Sequence, residues 1–307
     1  MRIVIAGGTG FLGRALAAAL AADRHELVIL TRRPGTPRAG VARFVSWKPD
    51  GGTGSFARAI DGASAVVNLA GESIAGRRWS PARKRRILES RRDATRSRAA
   101  AIAAAGQPPA VFLSASAVGY YGPHGDERLD ETAPAGSDFL AEVCVQWEAE
   151  AHRVASARTR VVCLRTGLVL ARDGGALPRM LLPFRLFAGG RIGDGRQYWP
   201  WIHRDDWVGL VRYALERPAI AGAINLTAPD PVVNAEFARA LGRALRRPAL
   251  LPAPAFALRL MLGEMAEALL LSGQRAVPVK AQREGYRFAY ERVDEALGAI
   301  FARGPQA

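Results

Sequence analysis

The chain has 307 residues, 49% of them hydrophobic, with 43 lysines and arginines against 28 acids, a formal charge of +15. That length buries one large core with an appended lobe. Its two cysteines, Cys144 and Cys163, show no metal spacing and exclude a disulfide framework, so a reducing, cytoplasmic setting is expected.

The chain begins directly in an apolar strand, Ile3-Val4-Ile5-Ala6, so no cleavable leader is expected. The strand runs into Gly7-Gly8-Thr9-Gly10-Phe11-Leu12-Gly13 and then an alanine-rich helix, Arg14 to Ala22. A buried strand ending in a glycine turn that opens a helix holds pyrophosphate. Gly7 permits the turn, Gly10 lets backbone approach the phosphates, and Gly13 lets helix pack on strand. Free amides at the helix start face the anion. Gly7, Thr9, Gly10, Phe11, Leu12 and Gly13 are therefore candidate dinucleotide contacts.

A second strand, Glu26 to Leu30, is followed by Thr31-Arg32-Arg33. An NAD site usually carries an acid there, about 20 residues past the glycines, for the ribose 2′-hydroxyl. Here two guanidiniums stand where a 2′-phosphate would lie, a group that suits their charge and forked donors. Thr31, Arg32 and Arg33 thus favour NADP(H) over NAD(H).

Further strand-like runs are Val41–Trp47, Ala65–Leu69, Ala110–Ser114, Arg160–Thr166 and Ala223–Leu226, with helical runs at Ser80–Ala105 and Phe139–Ala155. The alternation predicts an α/β fold, a doubly wound parallel sheet of Rossmann type. Residues 1–228 are expected to form this domain, with substrate-side loops near 170–205, and 229–307 a smaller C-terminal lobe. In that lobe Asn234–Leu245 and Phe256–Leu271 read as helices. The second contains Arg259, Glu264 and Glu267 and cannot span a bilayer. The dense basic stretch from Arg77 to Arg98 reads as a helix with a cationic solvent face. With no aromatic but Trp79 in that stretch and no module signature in the chain, neither nucleic acid nor membrane is an expected partner. The segment Gly189 to Gln197 reads as a flexible basic loop, a lid or a plain connection.

Gly7 to Gly13, Asn68-Leu69-Ala70-Gly71-Glu72, Ser114-Ala115-Ser116-Ala117-Val118-Gly119-Tyr120-Tyr121-Gly122, Leu164-Arg165-Thr166-Gly167 and Trp201-Ile202-His203-Arg204-Asp205-Asp206 follow one another in this order. Together they resemble the extended short-chain dehydrogenase/reductase superfamily. Gly71-Glu72-Ser73-Ile74 with Arg78-Trp79, Cys144 with Trp147-Glu148, and Gly263-Glu264-Met265-Ala266 with Gly273-Gln274-Arg275 are similar to one atypical "epimerase family" branch, over essentially the whole chain. That branch carries a C-terminal segment of unknown function.

The resemblance implies a tyrosine four residues before a lysine, the lysine acidifying the phenol and holding the ribose, and a serine polarising the carbonyl. Ser116 matches the serine. The pair should begin the helix at Phe139-Leu140-Ala141-Glu142-Val143-Cys144, where neither residue is present. The residues four before the three lysines are Phe44, Ser80 and Ala276, so the spacing is absent throughout. A free phenol has a pKa of about 10 and needs a nearby cation to act near neutrality. Tyr120, Tyr121 and His203 are the candidate substitutes; walls of the pocket and a loop histidine are the plainer readings.

By position, Leu69, Ala70 and Gly71 cross the adenine-side ribose and pyrophosphate, while Glu72 either binds a hydroxyl or caps the next helix. Ser114 lines the nicotinamide side, and Leu164, Arg165 and Thr166 pass the nicotinamide amide through backbone groups. Arg91 reaches cofactor or substrate, or is solvated. No metal cluster is present. Two functions stay open: an NADP(H)-dependent oxidoreductase or epimerase acting on an unidentified small molecule, an anionic one among the options, or a cofactor-binding sensor without turnover. A homodimer is likewise left open.

Overall fold

The computed structural model describes residues 1–32 and 43–302. One parallel sheet of seven strands carries the chain: β1 (Arg2–Ala6), β2 (Glu26–Thr31), β3 (Arg43–Ser46), β4 (Ala65–Asn68), β5 (Val111–Ala117), β6 (Arg160–Thr166) and β7 (Gly222–Leu226). Their order in space is β7-β6-β5-β4-β1-β2-β3, so the chain reverses direction across the sheet between β1 and β4. Ligands of open α/β sheets lie beyond the strand ends at such a switch point.

Helices α1 (Phe11–Ala22) and α4 (Arg204–Glu216) cover one face, α2 (Pro81–Ala103) and α3 (Phe139–His152) the other. The split follows from strand alternation. Ile3 and Ile5 pack against Leu16, Leu20 and Trp207, whereas Val4 and Ala6 pack towards Ala94, Ile102 and Ala151. Burial on both faces explains why these strands read as unbroken apolar runs.

Two features differ from the sequence reading in ways that matter. Strand β5 runs on to Ala117, because Ser116 and Ala117 stay in register with Arg165 and Thr166 of β6. The small residues Ser-Ala-Ser-Ala give no apolar periodicity, so only pairing shows the extension. Helix α2 does not present its basic residues to solvent alone. Arg98 is fully buried, its guanidinium 3.3 Å from the Trp47 ring centroid with Phe56 beyond, and it donates to the Ala94 carbonyl. Burial lowers its pKa to about 9. Arg83 is buried as well.

The C-terminal lobe shares its core with earlier residues. Val232–Val233 pairs antiparallel with Tyr198–Trp199, and helices α5 (Asn234–Leu245) and α7 (Val293–Ala302) pack with Leu170, Leu177, Leu181, Phe184 and Trp201. Residues 168–203 therefore belong as much to the lobe as to the sheet. The expected helix Phe256–Leu271 is three pieces: α6 (Ala255–Leu262), a turn at Glu264–Ala266 and a π-helical turn at Glu267–Leu271. Gly263 breaks it with φ +61°, a left-handed backbone that helices do not continue. The glycine-rich segment 189–197 is not loose either. Leu251 N donates to Gly189 O at 3.1 Å, Gly193 N to Ala253 O at 2.9 Å, Ile192 N to Asn234 Oδ1 at 2.7 Å and Gln197 Nε2 to Leu270 O at 2.6 Å. A stitched connection replaces the flexible lid.

Asp206, buried at the start of α4, fastens the last residues of the lobe. Its carboxylate accepts from Ala289 N at 2.8 Å and Tyr290 N at 3.0 Å. Asp206→Ala leaves both amides without that acceptor, each costing about 1–3 kcal/mol. A denaturant titration should show that loss, and hydrogen exchange should quicken first at residues 286–302.

Candidate functional site

An open cleft of 920 Å³ lies beyond the carboxyl ends of β1, β2 and β4, lined among others by Gly7, Thr9, Gly10, Thr31, Arg32, Trp47 and Leu69 to Glu72. The turn that floors it demands glycine twice. Gly7 has φ +80°, and a Cβ there would lie 2.7 Å from the Leu69 carbonyl; a Cβ on Gly13 would collide with the Gly7 oxygen. Gly10 caps α1 with no side-chain acceptor, and the first turn holds no acid. The amides of Phe11, Leu12 and Gly13 therefore stay open to an anion. The Phe11 side chain itself packs under Gly174 and Gly175, so its contribution is its backbone. Arg32 is exposed at the rim and Thr31 is buried; Arg33 lies outside the described residues.

Glu72 is settled by geometry. Ser80 Oγ, accepting from Arg83 N at 3.2 Å, caps α2, so Glu72 does not. Its carboxylate pairs with Arg83, which also donates to the Ser73 carbonyl, while Glu72 N donates to Ser90 Oγ at 3.1 Å. Trp47 and Pro49 are lining residues that the sequence reading missed. An aromatic just past a third strand was the available signal.

Ser116 opens a buried polar network. Its Oγ donates to Glu148 Oε1 at 2.6 Å, and Glu148 is gripped by Arg165 through Nε and Nη2, both at 2.9 Å. Arg165 Nη1 donates to the Tyr121 hydroxyl at 3.1 Å, which donates in turn to Asn225 Oδ1 at 2.7 Å. Glu131 closes the chain, accepting from Asn225 N and Lys280 N, each at 3.0 Å. Burial opposes the charge on Arg165, yet Glu148 holds its pKa above the ordinary value.

Several expected roles change. Tyr121 is 0% exposed and its hydroxyl is spent on Arg165 and Asn225, so it cannot reach a substrate. Burial pushes the phenol up to about 12, against the pull of Arg165. Tyr120 is partly exposed, its ring centroid 3.4 Å from the Arg165 guanidinium. Leu164 and Arg165 lie inside β6 with both side chains buried, which leaves their backbone alone for the role expected of them; Thr166 ends the strand and bonds Leu164 O and Trp207 Nε1. Ser114 is fully buried in β5 opposite Asn68. His203 caps α4, its Nδ1 accepting from Asp205 N at 3.1 Å, with its ring 4.1 Å from that of Tyr290. That is the fold-holding reading of this histidine.

The positions of the missing pair are occupied by apolar packing. Leu140 lies against Gly119, and with Phe139 joins Trp79, Ile87, Val143 and Met265 in one cluster reaching Leu262 and Leu269 of the lobe. Four residues on, the Cys144 thiol donates to Ala117 O at 3.7 Å. Burial, then Glu148, pushes that thiol up to about 12, and a group so high is no nucleophile. Cys144 and Cys163 are both buried and unpaired.

A family model described as NAD dependent epimerase/dehydratase matches residues 3–226, and one described as a domain of unknown function, DUF1731, matches 253–300. The chain belongs to the NAD dependent epimerase/dehydratase family. It is 43% identical over 305 residues to an epimerase family protein of Mycobacterium leprae, covering 99% of this chain and 97% of that one. A Bos taurus epimerase family protein, SDR39U1, is 42% identical over 98% of this chain and all of its own. The crystal structure of human SDR39U1 with NADPH superposes with a TM-score of 0.90 at 38% identity, covering 98% and 99% of the two chains. Among the described residues, no cluster suits a metal ion and no helix is long and apolar enough to cross a membrane.

Membership makes the ion pair at the strand ends a test of the site. Glu148→Ala strands the Arg165 charge in the interior, a loss of about 3–5 kcal/mol by precedent for broken buried pairs. Chemical denaturation measures it, and a cost under about 1 kcal/mol would mean the pair is solvated. Tyr121 adds a pH signature. Its folded pKa lies above that of an unfolded tyrosine, so its contribution is full below pH of about 10 and fades as pH rises towards 12. Tyr121→Phe should flatten that alkaline fall in thermal unfolding.

Proposed function

We propose that the chain binds NADP(H) in the glycine-floored cleft and acts as an oxidoreductase- or epimerase-like protein on a small molecule, without the tyrosine–lysine pair. The cleft carries the reading: its turn leaves no room for a Cβ at Gly7, and the helix behind it begins uncapped. These residues fit a dinucleotide phosphate. The first-turn amides of α1 take the pyrophosphate, Arg32 takes a 2′-phosphate, and the backbone from Leu69 to Gly71 walls the riboses. The human relative with NADPH, alike over 98% of this chain, supports the same cofactor. Its nicotinamide supplies hydride exchange when bound.

The chain's own residues set the rest of the chemistry. With no lysine beside a phenol, the proton comes from water or Tyr120. Losing a positioned acid costs about 10²- to 10⁴-fold in rate, so turnover on ordinary carbonyl compounds should be slow. Buried free thiols agree with a reducing, cytoplasmic setting. A second reading, a sensor that binds cofactor without turnover, is favoured by Ser116, which is only 3% exposed with its proton committed to Glu148.

Calorimetry tests the cofactor. NADPH should bind at least about tenfold tighter than NADH, a gap of about 1.4 kcal/mol that Arg32→Ala should largely erase. Equal affinities would overturn the assignment. A screen of carbonyl compounds and nucleotide sugars for NADPH consumption then separates the two readings: turnover that Ser116→Ala abolishes supports the enzyme, and binding with no consumption supports the sensor.

A further inference from the structure

An open cavity of 510 Å³ lies at the end of α5 in the C-terminal lobe, walled by Arg239, Arg243, Arg246, Arg247 and Leu250 among others. No acid lines it. Arg243 pairs with Asp294 of α7 at 2.6 Å. Arg239, Arg246 and Arg247 are exposed and form no ion pair among the described residues. The helix end they surround carries roughly half a negative charge, which three guanidiniums far exceed.

An apolar rim borders this cavity. Phe187 stands at φ +59° and Arg246, the cap of α5, at φ +55°. A bulky side chain seldom adopts that left-handed backbone. Here Phe187 is fixed in it, since Phe187 N donates to Phe184 O at 3.0 Å and Ala188 N to Pro183 O at 2.8 Å. The exposed ring meets Arg247, whose guanidinium is 4.6 Å from its centroid. Leu182 and Leu186, one helical turn apart, are exposed just before it. Leu250, 80% exposed, and Leu251 reach the same rim, because Leu251 N donates to Gly189 O at 3.1 Å. Single exposed leucines need no explanation, but four gathered beside a phenylalanine mark a surface that is covered in use.

The charge selects the cover. A second copy seated on its own face would set these arginines against themselves. Nucleic acid stacks on aromatic rings and gains little from four leucines. An anionic bilayer answers both halves, with phosphates for the guanidiniums and an acyl boundary for the rim. We propose that this face of the lobe docks on anionic phospholipid, with Arg239, Arg246 and Arg247 at the phosphates and Phe187 and Leu250 at the headgroup–acyl boundary. The sequence reading set a membrane aside because no segment spans one; lying on a membrane needs only such a patch. None of these residues lines the nucleotide cleft, so the inference does not rest on the NADP(H) reading.

Flotation of the full chain with vesicles tests it. Vesicles of phosphatidylcholine and phosphatidylglycerol in equal parts should bind at least about tenfold tighter than phosphatidylcholine alone, and added salt should weaken that binding. Arg239→Gln with Arg247→Gln removes two surface charges, each giving about fivefold, so affinity should fall by about tenfold or more. Phe187→Asn with Leu250→Ser should weaken it comparably, and asparagine tolerates the left-handed backbone. Arg85→Gln with Arg86→Gln removes the same charge from exposed positions on α2 and should change affinity by less than about twofold. An equal loss in that pair would mean that net charge alone binds, and overturns the site. So does binding to neither vesicle, equal binding to both, or unchanged binding in both lobe variants. Capture of polyglutamate by a chain that ignores the mixed vesicles would assign the arginines to an acidic protein, and likewise overturns the inference.

Discussion

A guanidinium sealed at the carboxyl ends of β5 and β6 must be met by a carboxylate, and the arrangement of this site follows from that demand. Arg165 leaves the middle of the sheet facing α3, and Glu148 on that helix takes it bidentately while also accepting from Ser116. Two charges out of water cost more than their attraction returns unless the remaining donors are satisfied. Here they are: Tyr121, Asn225 and Glu131 extend the chain of bonds to Lys280 in the lobe. The network fixes α3 against β5, and so fixes what α3 presents to the cleft.

At the places of the expected pair, α3 presents only an apolar side chain and a buried thiol. Where a reductase of this superfamily is expected to carry phenol and ammonium, this helix turns Leu140 into an apolar cluster and Cys144 into a hydrogen bond with Ala117 O. The lobe completes the seal: Met265, Leu262 and Leu269 pack on the same cluster, and Lys84 on α2 pairs with Glu264 at 2.7 Å. The pyrophosphate end of the cleft, by contrast, keeps its open amides. The helix that would join ribose holding to proton transfer in the superfamily is thus apolar at those two places, while the glycine-floored end of the cleft keeps its geometry.

Sequence pattern exposed the cofactor end well because its determinants are local. A glycine that must adopt positive φ, an uncapped helix start and the lack of an acid after β2 sit within a few dozen residues and are spelled by residue type. The doubly wound sheet was equally legible, since strands buried on both faces are apolar throughout. The other end depends on contacts that no spacing encodes. Glu148 and Arg165 are seventeen residues apart and meet only across a helix–strand interface; the Tyr121 hydroxyl, available by sequence, donates its hydrogen bond to Asn225, a hundred and four residues later. Glycines near 189–197 suggested mobility, yet bonds to 251–253 and Asn234 hold that stretch still. The basic run on α2 misled for the same reason, because a charge run gives no sign of which charges will be buried.

Those arginines also account for the charge of the whole chain. A surplus of +15 built almost wholly from arginine suggests a polyanion partner until the individual residues are placed. Arg98 packs on the Trp47 ring and bonds Ala94 O, Arg83 bonds Glu72 and the Ser73 carbonyl, Arg165 spans Glu148, and Arg91 packs on Trp147. Each of these uses a planar, weakly hydrated fork to stack on a ring or to bond two acceptors, which a lysine ammonium cannot do at the same burial. Arginine is therefore the interior cation of this fold. A guanidinium stays charged where an ammonium can be tuned, so these interior cations hold their carboxylate, carbonyl and ring partners and are poorly suited to pass a proton.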